Sequence, residues 1–327
     1  MTRANGLRLA AIVVTVAGLG VTVALIAAVG FGDVLGILRR MGALGFLAYC
    51  GFTFLILAVL GMAWFSLAPG ETSGQIGSFF WARLMREAAT DVLPFSQFGG
   101  IVVGARALVT RGVPQPMVYA SMIADQTAEL MAQLVYTLYG VAVLALVLSR
   151  TPTGGDLLHL AIGGLGVSIA IIIAFAFAQR PLLVLAARIG GAILPESAIA
   201  LTSVHETLSA IYGHRKRLIV AFLLHTFAWV GSGAGGWIEL HLLGVPISIG
   251  SVIVIESLIF TLRTAAFMIP GAIGLQEGAY LLIGPLFGLP PEAALALSLA
   301  KRARDLAIGV PAMLIWQFGE GRALVKG

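Results

Sequence analysis

Charge is scarce in this sequence: 11% of its 327 residues are Asp, Glu, Lys or Arg, and lysine occurs only at Lys216, Lys301 and Lys326. A single cysteine, Cys50, excludes an intrachain disulfide and a thiolate metal pair. The G-x-x-x-x-G-K-[ST] phosphate loop, the H-E-x-x-H zinc helix, the G-x-S-x-G nucleophile elbow and paired C-x-x-C are all missing. ATP-driven work, metalloprotease and serine-hydrolase chemistry are therefore not expected, and neither a metal nor a cofactor is expected. What is abundant is apolar surface: 59% of residues are hydrophobic and the mean hydropathy is +1.00. A soluble chain carries about a quarter of its residues as charges, so the solvent of this one is a bilayer. The net charge of +5 is scattered between apolar runs, with one cluster at Arg215, Lys216 and Arg217. That pattern fits cytoplasmic loops better than a nucleic-acid surface.

About 20 apolar residues suffice to cross a ~30 Å hydrocarbon core as a helix. Six runs meet this length, at 8–30, 43–67, 115–148, 157–179, 217–243 and 291–318. The first is too long for the apolar part of a signal peptide and is read as a true span. Two further segments, 77–110 and 250–286, are apolar but broken near their middles by Pro94 with Gly99 and Gly100, and by Pro270 with Gly271 and Gly274. Proline removes a backbone donor and clashes with the preceding turn, and an irregular backbone at membrane depth needs protein or a watery cavity around it. Both segments are read as re-entrant pairs of half-helices. Residues 181–214 mix apolar and polar positions and are read as an amphipathic helix at the membrane surface. The fold class is thus an all-α polytopic membrane protein, one membrane domain over 1–327.

Pro94 and Pro270 are 176 residues apart, as are Pro114 and Pro290, and the same offset carries span 43–67 onto 219–243. It also sets Asp125 against Lys301 and Glu129 against Asp305. This points to pseudo-repeat halves, 1–150 and 151–327. Three full spans separate equivalent points, so the second half is inverted and the hairpin tips meet near the midplane, where inverted-repeat transporters hold substrate. The Arg215–Arg217 cluster assigns the central loop, and with it both termini, to the cytoplasm; Arg39 and Arg40 count against that orientation.

Ionised side chains inside a membrane need partners or a hydrated groove. Arginine forks bind phosphate or carboxylate, and carboxylates orient cations or carry protons. The headgroup-binding candidates are Arg83, Arg86, Arg106, Arg263, Lys301 and Arg304. The relay or counter-ion candidates are Glu87, Asp125, Glu129, Glu277 and Asp305. Ser121, Asp125, Glu129 and Gln133 recur every four residues and share one helix face. Structural pairing inside the bundle is the competing reading for any one of these charges. The glycines at the hairpin breaks either admit a ligand to the backbone or let helices pack closely, and the Gly231–Gly236 run is read as a packing face.

The stretch from Trp81-Ala82-Arg83 through Arg86-Glu87-Ala88, Leu93-Pro94, Gln97, Gly99-Gly100 and Gly104-Ala105-Arg106, with Arg111-Gly112-Val113, Asp125 and Glu129, resembles hopanoid-biosynthesis-associated membrane proteins of the HpnL type. Ile269-Pro270-Gly271-Ala272-Ile273-Gly274, followed by Glu277, resembles the broader lysylphosphatidylglycerol synthase transmembrane, or flippase-like, family. The resemblance implies a lipid-handling protein of the bacterial inner membrane. Its lipid would be a hopanoid or a phospholipid, and lipid-synthesis enzymes would be possible partners. The 327 residues hold no counterpart of the soluble aminoacyl-transferase domain of the synthases, so aminoacyl transfer is not expected. The expectation is a lipid translocator; a membrane-embedded headgroup transferase and a scaffold for a synthesis complex are the alternatives.

Overall fold

The computed structural model describes residues 31–71, 73–92, 96–149, 195–265 and 272–326, with Ala27, Gly163, Gly166 and Ala170 as isolated helical positions. The expected spans 8–30 and 157–179, the start of segment 181–214, and Pro94, Pro270 and Gly271 lie outside the described residues. Nine α-helices occur among those described: α1 (Phe31–Ser66), α2 (Ile76–Val92), α3 (Ser96–Val109), α4 (Gln115–Leu148), α5 (Pro195–Gly213), α6 (Arg215–Leu242), α7 (Ile249–Ala265), α8 (Leu275–Ile283) and α9 (Pro291–Lys326). Short 3-10 turns precede α2 and follow α8.

Among the described residues three helices are long and apolar enough to cross a membrane: Leu38–Ser66 of α1, α4 and α6. They coincide with three of the expected spans. Their outer faces expose Leu44, Leu47 and Leu55, then Val135 and Leu146, then Leu223 and Phe227. In water this surface would aggregate; in a bilayer it faces acyl chains. Helix α9 has the length, with 36 residues, but carries Lys301, Arg302, Arg304 and Asp305 in mid-helix, followed by Pro311. Helix α1 begins earlier than the apolar run, because Gly42 turns the chain through φ 63° and joins a further helical segment to it.

The two broken segments form two helical pairs, α2 with α3 and α7 with α8. At 1.5 Å per residue, the 17 residues of α2 and the 14 of α3 reach ~25 and ~21 Å, short of a hydrocarbon core. Close contact between α2 and α3 depends on glycine. A Cβ at Gly100 would lie 2.1 Å from Thr90 Oγ1 and 2.6 Å from the Arg86 carbonyl oxygen, and one at Gly104 would lie 2.9 Å from Arg86 Cβ.

Helices α1 and α6 run antiparallel. Arg217 donates to the Ser66 carbonyl at 3.1 Å at one end, Gly231 meets Ile56 in the middle, and Gly45 meets Leu242 at the other end. Along α4, the first half receives Arg83 and Arg86 of α2. Its second half receives α7, through Gln133 donating to Thr264 Oγ1 at 2.6 Å and Tyr136 donating to the Ile253 carbonyl at 3.1 Å. The α2–α3 pair therefore enters the bundle from the end that holds Ser66 and Arg217, and the α7–α8 pair enters from the opposite end.

Element boundaries recur at the offset of 176 residues: α1 and α6 end together (Ser66, Leu242), α4 and α9 begin together (Gln115, Pro291), and α2 and α3 fall within three residues of α7 and α8. Packing recurs as well, with α2 on α9 matched by α7 on α4. Helix α5 lays Val204, Leu208 and Ile211 against Ala120, Ala124 and Ala128 of α4.

Candidate functional site

Among the described residues, the paired buried charges fall into three groups. In the first, α2 meets α4. Arg83 grips Glu129 with both Nη atoms at 2.7 and 3.1 Å, reaches Asp125 Oδ2 at 3.3 Å and pairs with Glu87 at 2.8 Å. Arg86 bonds Asp125 at 3.1 Å, Glu129 at 3.0 Å and Gln126 Oε1. His225 Nε2 of α6 lies 2.8 Å from the other Asp125 oxygen. Ser121, one turn before, accepts from Trp64 Nε1 at 3.1 Å. The polar ladder of α4 is thus the seam that holds the first helical pair and α6 in place. Fork geometry and the burial of Arg83, Arg86 and Asp125 make such pairs strong only while complete.

The second group pins the start of α8. Glu277 accepts the Gly274 N–H at 2.8 Å, Ser298 Oγ at 2.9 Å, and Arg302 at 2.6 and 3.1 Å. Gln276 donates to Ser298 at 2.7 Å, and Arg302 also reaches the carbonyl of Ala272, a non-glycine residue held at φ 49°. This α8 N-terminus is capped by its own Glu277, an arrangement that satisfies an orphan N–H and the helix dipole.

The third group is central. A cavity of about 160 Å³ lies where α1, α2, α6, α7 and α9 converge. Its apolar wall includes Phe52, Ile56, Leu84 and Phe260, and its polar lining is Tyr49, Thr53, Glu87, Asp91, Ser232, Arg263, Lys301, Arg304 and Asp305. Asp91 is in the last turn of α2 and Arg263 in the last turn of α7, and their side chains approach to 3.6 Å across the cavity. The inner ends of two helical pairs that enter from opposite ends of the bundle therefore meet here. Arg304 binds Asp305 at 2.5 and 2.9 Å and donates to Tyr49 Oη at 2.7 Å, its guanidinium 5.1 Å from the Tyr49 ring centroid. Lys301 is paired with Glu256, which also accepts from Tyr280 at 2.7 Å. Glu256 lies against Gly236, where a Cβ would come within 3.0 Å of its carboxylate.

Of the residues singled out from sequence, Glu87, Arg263, Lys301, Arg304 and Asp305 share this cavity. Arg83, Arg86, Asp125 and Glu129 lie in the first group, Glu277 lies in the second, and Arg106 is exposed on α3. Gly99 and Gly100 lie in the first turns of α3, and Gly274 precedes α8. Sequence reasoning missed Tyr49, Glu239 and the role of Arg302. Tyr49 and Glu239 are isolated polar positions in otherwise apolar helices, and their one signal is that each is out of place in a span. Gly231, Gly233 and Gly235 face Ile56, Tyr136 with Ile253, and Phe52 at close range.

Among the described residues no group of His, Cys, Asp and Glu is placed to hold a metal ion. Three acids and three bases around one cavity, beside an apolar wall, can bind a small polar headgroup and exclude most of its hydration shell. No curated protein and no solved structure matches the chain. The family model described as lysylphosphatidylglycerol synthase TM region matches residues 9–312, and with this match over nearly the whole length of an all-helical, membrane-spanning fold, the chain belongs to that family.

Proposed function

We propose that this protein is a lipid translocator in which the headgroup passes through the central cavity while the acyl chains stay in the surrounding bilayer. The observation that carries the reading is the Asp91–Arg263 contact, a polar closure between the inner ends of two helical pairs that enter from opposite ends. A closure of this kind opens toward either end when one pair tilts, which is the geometry alternating access needs. The recurrence of helix boundaries at 176 residues supports an inverted repeat as its structural basis. Both pairs are read as re-entrant in the bilayer.

The lining supports a phosphate-bearing headgroup. Arg263, Lys301 and Arg304 supply the cations, and Asp91, Glu256 and Asp305 hold them in place when the cavity is empty of lipid. A phospholipid is therefore the favoured cargo; a hopanoid rests on the resemblance of the α2–α3 region. Exposed Arg111, Arg215, Lys216 and Arg217 collect at the end where α2 and α3 enter, which supports a cytoplasmic location for that end in a bacterial inner membrane, against the exposed Arg39 and Arg40 of α1.

Leaflet-resolved movement of fluorescent phospholipid and hopanoid probes in proteoliposomes tests the reading, with wild type compared with Arg263→Ala and Arg304→Ala. Movement by wild type that is lost in folded variants supports a translocation path. Absence of movement for every probe sinks it and favours a transferase or a scaffold, which lipid profiling of a deletion strain separates: a transferase leaves its precursor to accumulate.

A further inference from the structure

Glu239 of α6 is fully buried, and neither of its carboxylate oxygens makes a hydrogen bond of sound geometry. The groups that face it are Tyr49 from α1, Glu256 from α7, and Lys301 and Arg304 from α9. Every base in this neighbourhood already has an acid. Arg263 faces Asp91, Lys301 faces Glu256, and Arg304 faces Asp305. Among the described residues of this neighbourhood, Glu239 is the one carboxyl without a cation of its own. Tyr49 stands beside it; its hydroxyl oxygen accepts from Arg304 at 2.7 Å, and its hydroxyl proton stays available to Glu239 as a neutral donor, not a counter-charge. In a dry interior a carboxylate without a cation of its own costs far more than a carboxylic acid.

We infer that Glu239 is a proton-binding site behind the cavity, and that its proton travels with an anionic headgroup. The inference rests on the translocation reading and deepens it by assigning the coupling ion. Tyr49, Lys301 and Arg304 line the cavity and also lie near enough to Glu239 to act on its charge, so they connect the two. An anionic headgroup that engages Lys301 or Arg304 competes with Glu256 or Asp305 for the same cation. The carboxylate set free adds negative charge next to Glu239, and proton binding tightens. By linkage, protonation of Glu239 tightens headgroup binding by the same factor. One proton and one singly charged headgroup make an electroneutral pair. No covalent bond other than the carboxyl O–H forms or breaks, and the proton comes from and returns to water.

The test uses the full chain in phosphatidylcholine vesicles carrying a fluorescent anionic phospholipid, with the outside one pH unit more acidic than the lumen. Coupled one-to-one movement draws the probe into the inner leaflet to about a tenfold excess, the equivalent of one pH unit. A protonophore abolishes that excess in the same wild-type vesicles, so the result does not depend on any variant folding. Glu239→Gln, which resembles the protonated group, is expected to move the probe but leave it evenly distributed. Infrared difference spectra of wild type against Glu239→Gln in D2O give a readout independent of transport, a carboxylic-acid C=O band present only in wild type. An even probe distribution in wild type overturns the coupling while leaving translocation intact. Immobile probe in every sample overturns translocation and the coupling with it; the infrared band then decides the proton site by itself, and its absence removes that too.

Discussion

Asp91 Oδ1 lies 3.6 Å from Arg263 Nη2, and this single contact links the last turn of α2 to the last turn of α7. Both side chains are about a quarter exposed, at 23% each, so the pair sits in hydrated surroundings. Partly exposed pairs contribute roughly 1 kcal/mol or less to stability. Arg263→Ala is therefore expected to leave the melting temperature in detergent nearly unchanged. Lipid movement should fall about tenfold or more, the order expected when a headgroup phosphate loses one charge-assisted hydrogen bond from the Arg263 guanidinium. The exchanged pair, Asp91→Arg with Arg263→Asp, restores the contact with its polarity reversed. Recovery of movement in the double variant would show that the closure matters; melting well below wild type for Arg263→Ala alone would make it a structural strut.

Asp125 behaves in the opposite way. Its side chain is 0% exposed and meets Arg83, Arg86 and His225 together. Asp125→Ala strands two buried guanidiniums that only Glu129, Glu87 and Gln126 then address. Breaking a buried pair from one side costs about 3–5 kcal/mol. A clear drop in melting temperature and loss of monodisperse protein after extraction are expected. Glu87→Gln, at a side chain 33% exposed, should cost much less. Equal destabilisation by both substitutions would contradict the seam described for α4.

Gly100→Ala tests the close approach of α2 and α3. The added Cβ would meet Thr90 Oγ1 at 2.1 Å and the backbone carbonyl oxygen of Arg86 at 2.6 Å, and backbone cannot rotate away as a side chain can. The two helices must part, and Arg86 moves with them. Gly77→Ala, in the first turn of α2 with nothing within 4 Å, is the control and should behave as wild type. The comparison is read from thermal melting and size-exclusion profiles of the two variants.

The segments visible in sequence were those set by backbone and solvent chemistry. A run of apolar residues gave α4 its expected bounds of 115–148, and Pro94 and Pro270 announced breaks because proline denies the helix a donor. Which charges meet was less legible. Arg83 and Arg263 look alike as isolated cations near a break, yet one points at α4 and is sealed by Glu129, while the other faces the cavity. That difference depends on helix rotation, which a chain with apolar residues around most of each helix does not encode as a clear stripe. Glu239 stood out in sequence only as a charge in a span, and its significance was hidden for a related reason. Its interest comes from a missing partner, and a missing partner is a property of three-dimensional neighbours.

The orientation of the helical pairs can be read with cysteine chemistry, since Cys50 is the sole native thiol and is buried. On a Cys50→Ala background, single cysteines at Ser73 and Gln115 flank the α2–α3 pair, and those at Gly250 and Leu286 flank α7–α8. All four positions are exposed. A membrane-impermeant maleimide should label the first two from one face of sealed vesicles and the second two from the other. The flanks alone do not separate re-entry from spanning, because a pair of full spans also returns to its own side. A cysteine at Ser96, the first residue of α3, does separate them. Arms of ~25 and ~21 Å leave that position inside a ~30 Å core. It should resist labelling from the face that exposes Gly250. If Ser96 and Gly250 react together from that face, the arms span the membrane, and the cavity between Asp91 and Arg263 then lies too near one surface to act as a central closure.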